Sequence, residues 1–125
     1  MKEKLSDQVE INIDIQTKEE DLLSHLLEKE NPSKGDETEL SNGIKVRYPK
    51  KQPIQKAGEE EVVRIILSRL GDIGAILVAN WIWNKIKNKD VSWLRIEREV
   101  VEEEGEVKRL IKEKIEEREG SNQER

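Results

Sequence analysis

The sequence predicts an α+β protein: a small sheet of about three strands, helices packed on one face of that sheet, and a central apolar helix. Two observations indicate this class. Several short segments alternate apolar and polar residues, which is typical of half-buried strands. Residues 65–86 are apolar almost all round in a chain that is 41% charged, so this segment must be hidden from water.

The first predicted unit is a strand followed by a helix. Its strand alternates four apolar with four polar residues: Val9, Ile11, Ile13 and Ile15 with Glu10, Asn12, Asp14 and Gln16. Thr17 and Glu20 then have the spacing of a capping box, which predicts a helix over residues 18–29. The apolar stripe of this helix should face the core; it consists of Leu22, Leu23, Leu26 and Leu27.

A loop and a second strand come next. Residues 31–43 are rich in turn-forming residues and are predicted to form a loop. Residues 44–48 alternate again and predict a short strand, which Pro49 stops. Residues 50–58, with Pro53 inside them, are predicted to form another loop.

The middle of the chain is predicted to be helical. Three glutamates from Glu59 onward precede an apolar stripe at helical spacing, formed by Val62, Val63, Ile66, Leu67 and Leu70. Gly71 and Gly74 should end or bend this helix, and a second helical piece should run over residues 73–87. Whether residues 59–87 form one kinked helix or two stays open. The second piece is expected to be the most buried element.

The last part of the chain predicts a strand and a helix. Residues 91–103 form either one bulged strand or a hairpin without a glycine turn, because Val100 and Val101 break the alternation. An amphipathic helix follows, with Val107, Leu110 and Ile111 on one face, and Gly120 is expected to stop it. We therefore expect one domain over residues 1–120 and a disordered tail over residues 121–125.

The composition limits the class of protein and the cellular location that can be expected. The 125 residues fit one domain, and the absence of cysteine excludes disulfides, thiolate metal sites and thiol nucleophiles. The first ten residues lack the apolar stretch of a secretory signal, so a cytoplasmic location is expected. Abundant Glu, Lys and Ile, with Cys, Met and Phe scarce or absent, predict a thermophilic source. The net charge of −5 is not that of a strongly basic nucleic-acid binder.

The apolar middle segment allows two interpretations. Arg69, Asp72 and Asn80 interrupt it, so a transmembrane span is not expected. It is either a buried core helix or a helix that a second copy or another protein covers. The predicted partner-binding residues are the three tryptophans, because this side chain often lies at interfaces: Trp81, Trp83 and Trp93. The alternative is that all three tryptophans pack in one core. A third interpretation is that Trp83 contacts a membrane surface.

Basic residues suggest an alternative partner. They cluster in residues 45–56 and 85–89, and the candidate phosphate contacts are Lys45, Arg47, Lys50, Lys51, Lys85 and Lys87. If these clusters adjoin in space, they would form a nucleic-acid-binding patch. Only Tyr48 offers base stacking there, and charge runs are usually solvated, so nucleic acid is not the favoured partner.

Residues typical of catalysis or metal binding do not form a motif. His25 is the only histidine, and its neighbour Ser24 points elsewhere on a helix. GDIG lacks the glycine spacing and the lysine of a phosphate-binding loop. The sequence therefore argues against an enzyme, a metal site or a cofactor.

Three segments give the chain its layout: VEINIDIQTKEEDLLSHLLEK, GDIGAILVANWIWNKIKNK and VSWLRIEREVV…EVKRLIKEKIEE. This layout resembles that of the effector-associated constant components, small proteins found beside effectors in prokaryotic conflict systems. The chain departs from it in the added strand at residues 44–48 and in lacking a clear hairpin turn after Trp93. The resemblance implies a non-enzymatic adaptor. We therefore expect a protein-interaction module that self-associates, with nucleic-acid binding as the alternative.

Overall fold

Seven strands and three helices make up the described part of the computed structural model, which covers residues 9–19, 21–40, 43–49, 56–57, 60–70 and 73–123. The strands are β1 (Ile11–Thr17), β2 (Glu37–Glu39), β3 (Lys45–Arg47), β4 (Lys56–Ala57), β5 (Glu60–Ser68), β6 (Val91–Ile96) and β7 (Glu99–Val101). The helices are α1 (Leu22–Leu27), α2 (Gly74–Ile86) and α3 (Glu104–Gln123).

All the strands belong to one antiparallel sheet. Six of them follow the order β2-β3-β5-β1-β6-β7, and the two-residue β4 pairs with the start of β5. The α+β class predicted from the sequence is confirmed. The prediction of about three strands is too low, because β2, β4 and β5 lie in segments that the sequence assigned to loops or to a helix.

The strand β1 lies near the middle of the sheet and is its most buried member. Ile13 sits opposite Ile65 of β5 on one side and Ile96 of β6 on the other. Ile11, Ile13 and Ile15 are fully buried, whereas the residues between them face the opposite side of the sheet. The predicted alternation of β1 is therefore confirmed, and it defines an apolar face and a polar face of the sheet.

The prediction of a helix from Glu59 to Leu70 is wrong, because residues 60–68 form the strand β5. Val63, Ile65 and Leu67 point into the core, and the residues between them point to the polar face. A continuous apolar run fits both the helical and the extended period, so periodicity alone cannot separate them. The β-branched side chains of this run favour the extended form. Residues 59–87 are thus neither one kinked helix nor two.

The three helices cover the apolar face of the sheet, as predicted. Their inward side chains join the buried strand residues in one hydrophobic core: Leu22, Leu26 and Leu27 of α1; Ala75, Val78, Ala79, Ile82 and Ile86 of α2; and Val107, Leu110, Ile111 and Ile115 of α3. The expectation that the central helix is the most buried element is wrong, since Ile73 before it and Ile76 within it are half exposed. Every residue of β1 is buried or half-buried instead.

The start of α1 differs from the predicted capping box. Thr17 ends β1, where its hydroxyl accepts the N–H of Glu19 and donates to the carbonyl of Asp90. The N-cap of α1 is Asp21, whose side chain makes no capping hydrogen bond, and Glu20 lies outside the described residues. The helix is therefore shorter than the predicted residues 18–29, because the hydroxyl of Thr17 ties β1 to the segment before β6 instead.

The second half of the chain settles two open points. Residues 91–101 form the β6–β7 hairpin, in which only Glu97 and Arg98 connect the paired strands. Gly120 does not stop the last helix, because α3 continues to Gln123. The short strand β2 lies within the loop predicted over residues 31–43 and pairs with β3. None of the helices in the described ranges has the length and apolar character needed to cross a membrane.

Candidate interaction surface

The side of α2 that points away from the core has exposed apolar residues. Ile73, immediately before the helix, is 51% exposed, and Ile76 is 50% exposed. Asn80 is exposed and Trp83 is half-buried on the same side. With Lys87 these positions repeat every three and four residues, which is the spacing of a helix that packs along another helix. We call these five residues the outward face.

Gly74 determines how α2 begins. A Cβ atom added at this position would lie 2.7 Å from the Cβ of Leu70, which is closer than such atoms come in folded proteins. Only glycine therefore allows the chain leaving β5 to pack this tightly against the first turn of α2. Leu70 and Ala75 on either side of this contact are buried, whereas Ile73 and Ile76 lie on the surface.

The other end of α2 is attached to α1. Lys85 Nζ lies 3.0 Å from Glu28 Oε2, and the lysine side chain is largely covered. Glu28 is the C-cap of α1 and has a left-handed backbone conformation. The shared core and this ion pair hold α2 against α1.

The three predicted partner-binding tryptophans do not form one cluster. Trp81 and Trp83 are two positions apart on α2, which turns their side chains about 200° from each other. Both are half-buried and pack against the core, and Trp83 is one of the five residues of the outward face. Trp93 is half-buried on the polar face of the sheet, where Arg95 stacks 4.0 Å above its ring. Of the three, only Trp83 adjoins the exposed isoleucines.

The indole N–H of Trp81 has an unusual environment. Its nitrogen is buried and has no hydrogen-bond partner in the part of the chain that the structure describes. Leaving a buried donor unpaired costs about 1–3 kcal/mol. The packing of the half-buried Trp81 ring against the core offsets that cost.

The predicted basic clusters lie apart. Lys45 and Arg47 are on the polar face of the sheet, next to Glu37 and Glu10 at 3.3 and 3.2 Å. Lys85 lies on α2, which covers the opposite face, and Lys87 is the C-cap of that helix. Lys85 is also paired, and Lys50 and Lys51 lie outside the described residues. Among the described basic residues of the two clusters, Lys45, Arg47 and Lys85 each have a carboxylate partner.

His25 lies on α1, half-buried, beside a shallow surface depression. Ser24 borders the same depression but is an adjacent helix position. Within the described ranges, no group of three or more His, Asp or Glu side chains is arranged to hold a metal ion.

Sequence reasoning missed the outward face. The spacing of Ile73, Ile76, Asn80 and Trp83 is visible in the sequence, but the inward residues of the same segment are equally apolar. The signal that distinguishes the sides is the pair of small residues Ala75 and Ala79, because small side chains allow a helix to lie close to a sheet.

The chain was compared with known proteins in three ways. No protein-family model, no curated protein and no solved structure matches it. The resemblance to effector-associated constant components therefore stays a prediction from the order of the segments, and the function must be argued from the geometry of the molecule.

Proposed function

We propose that this protein is a small, non-enzymatic interaction module that self-associates through the outward face of α2. The main support is the pair of half-exposed isoleucines, Ile73 and Ile76, on a helix whose other side is fully packed. Apolar side chains at heptad spacing on the surface of a highly charged protein favour burial against another helix.

The outward face is complementary to itself. Asn80 is its middle residue, so two copies of α2 can pack antiparallel about a twofold axis that passes beside Asn80. In that arrangement Ile76 faces Trp83 of the second copy, and Ile73 faces the aliphatic stem of its Lys87. The two Asn80 amides meet at the centre and can donate to each other. The two Lys87 ammonium groups lie at opposite ends, so like charges stay apart.

The expected dimer is weak. Burying a whole isoleucine contributes roughly 1.5–3 kcal/mol, so covering the exposed half of Ile73 or Ile76 contributes about 1 kcal/mol. Four such side chains and two partly covered Trp83 rings must offset the entropy lost on association. Because these two contributions nearly cancel, we expect a weak dimer that forms only as the protein concentration is raised.

The sheet edges are less suited to self-association than α2. The strands β2 and β7 end the sheet, and each has only three residues. Glu37 and Glu39 of β2 are exposed, and charges on an edge oppose pairing with another strand. Val100 of β7 is 55% exposed, which makes it a useful comparison for Ile76.

The layout resemblance supports the same class of function. It implies an adaptor that joins other proteins, and a module of this kind would act in the cytoplasm, in agreement with the lack of cysteine. Self-association would give such an adaptor two copies of every other surface.

Light scattering after size-exclusion chromatography tests the proposal on three proteins. The unaltered chain should show a concentration-dependent shift toward the dimer. Ile76→Glu should abolish the shift, because two buried carboxylates would lack partners. Val100→Glu is the matched control, as it changes an equally exposed apolar residue outside α2. If Val100→Glu abolishes the dimer and Ile76→Glu does not, the contact is the β7 edge and the proposed surface is wrong.

A further inference from the structure

A polar cleft lies at one end of the sheet, beside the start of β1 and the turn between β6 and β7. Its volume is about 350 Å³, and side chains from β1, β5, the turn and α3 line it. This size lies at the lower end of the range for small-molecule sites. The cleft is separate from the outward face of α2, and it contains three cationic and three anionic side chains.

Two of its cations are already paired. Arg64 donates from Nε and Nη2 to the two carboxylate oxygens of Asp14, at 2.7 and 3.0 Å. The hydrogen bond to Asp14 raises the pKa of Arg64. Lys114 Nζ lies 2.8 Å from Glu99, and this hydrogen bond raises the pKa of the lysine. Both cations thus stay charged and have carboxylate partners.

The third cation, Arg98, is different. It is exposed, and it has no ion pair or hydrogen bond among the residues that the structure describes. Glu117, on the α3 side of the cleft, lies 3.9 Å from Lys114 and is 66% exposed at its side chain, so it retains acceptor capacity. Asn12 uses its backbone groups for Glu97, and it is one of the residues that line the cleft. The groups of the cleft that can still bind a ligand are therefore one guanidinium, one carboxylate and one amide.

Arg98 is held in a conformation that suits glycine better. Glu97 and Arg98 have φ values of 49° and 78°, and they form the two-residue loop of the β6–β7 hairpin. Such loops strongly prefer Asn-Gly, because a left-handed backbone costs roughly 1–2 kcal/mol for a residue with a Cβ atom. At Glu97 the cost of the left-handed backbone is offset by a hydrogen bond, in which its carboxylate accepts the backbone N–H of Asn12 at 2.7 Å. Arg98 has no such compensation in the described structure, and backbone strain of this kind concentrates at functional sites.

We propose that this cleft binds a small zwitterion of the size of an amino acid or a dipeptide. The guanidinium of Arg98 would take the carboxylate of the ligand, the carboxylate of Glu117 would take its ammonium group, and the Asn12 amide would add a further hydrogen bond. The equal numbers of cationic and anionic side chains favour a ligand without net charge. A phosphate or a nucleotide would meet the three carboxylates of the cleft, which oppose a polyanion.

Titration of the full chain with glycylglycine and with glycine, followed by ¹H–¹⁵N NMR, tests this assignment. Glycylglycine should cause saturable shifts at the amides of Asn12, Arg98 and Glu117. Acetate and methylammonium, which each offer one charge, should bind at least tenfold more weakly. A response to glycine as strong as that to glycylglycine would identify a single amino acid as the ligand size. Equal affinity for acetate and glycylglycine, or no saturable shift with either zwitterion, would overturn the proposal.

Two substitutions separate ligand contact from folding. Arg98→Gly removes the guanidinium and also relieves the left-handed backbone, so this variant should fold at least as well as the unaltered chain while its affinity falls about tenfold or more. Arg69→Gly is the matched control: Arg69 is also exposed with a positive φ of 57°, but it is not among the residues that line the cleft. Unchanged affinity in Arg98→Gly would show that this arginine does not hold the ligand.

Discussion

The adjacent residues Ile65 and Ile66 distinguish the observed strand β5 from the helix that the sequence predicted. Ile65 is fully buried opposite Ile13 of β1, whereas Ile66 points to the polar face opposite Asn12. In a helix over the same residues the order would reverse, because Ile66 belongs to the apolar helical stripe and Ile65 does not. Replacing each by alanine therefore reports directly on the backbone conformation.

The expected difference between the two variants is large. Each change removes three carbon atoms, and Ile65→Ala loses about 2.4 kcal/mol from transfer alone. The cavity it leaves beside Ile13 adds to this, so the free energy of unfolding should fall by about 3–5 kcal/mol. Ile66 is only half-buried, and Ile66→Ala should cost about 1 kcal/mol.

Urea unfolding followed by tryptophan fluorescence measures both values, because all three tryptophans lie outside β5. The slope of free energy against urea should stay the same in both variants, which shows that the unfolded states are comparable. A larger loss for Ile66→Ala than for Ile65→Ala would refute the strand, the register with β1 and the sheet built on it.

Two further predictions concern α2 and a charged turn. Gly74→Ala should lower the free energy of unfolding by about 1–3 kcal/mol in a thermal melt, because its new Cβ would meet Leu70 at 2.7 Å; unchanged stability would contradict this contact. The hydrogen bond from the backbone N–H of Ser33, and then that from Lys29, lower the pKa of Asp36 below its ordinary 3.8. The ionised Asp36 carboxylate therefore stabilises the fold above pH 3.8, and this stabilisation is lost as the pH falls through the pKa of the folded state. Carboxyl NMR shifts against pH measure this pKa, with Asp36→Asn for assignment, and a midpoint at or above 3.8 would disprove the cause.

Strict periodicity explains which elements the sequence could predict. The alternation of Ile11, Ile13 and Ile15 gives β1 directly, and the spacing of Val107 and Leu110 gives α3. These segments have one apolar side and one polar side, so only one backbone conformation places the apolar residues together. In β5, by contrast, residues on both faces are apolar, and the period becomes ambiguous.

The remaining elements depend on contacts that the local sequence does not show. Strand β2 is the polar triplet Glu37–Glu39, which is extended because β3 lies beside it. The β6–β7 turn has Glu97 and Arg98 where an Asn-Gly pair would have identified a hairpin. Tertiary pairing decides these conformations against local preference.

The candidate surface was predictable only in part. The sequence identifies Trp83 and the apolar segment around it, but both sides of α2 are apolar enough that only the small residues Ala75 and Ala79 indicate which side meets the core. Ile73 and Ile76 therefore become candidate contact residues only once the sheet and its helices are placed.

Sedimentation equilibrium of the unaltered chain tests the central claim most directly, since that claim is self-association through the outward face of α2. The mass of one chain is 14.6 kDa. We expect the weight-average mass to rise with concentration toward twice that value. A mass that stays at that of one chain up to millimolar concentration would contradict the account.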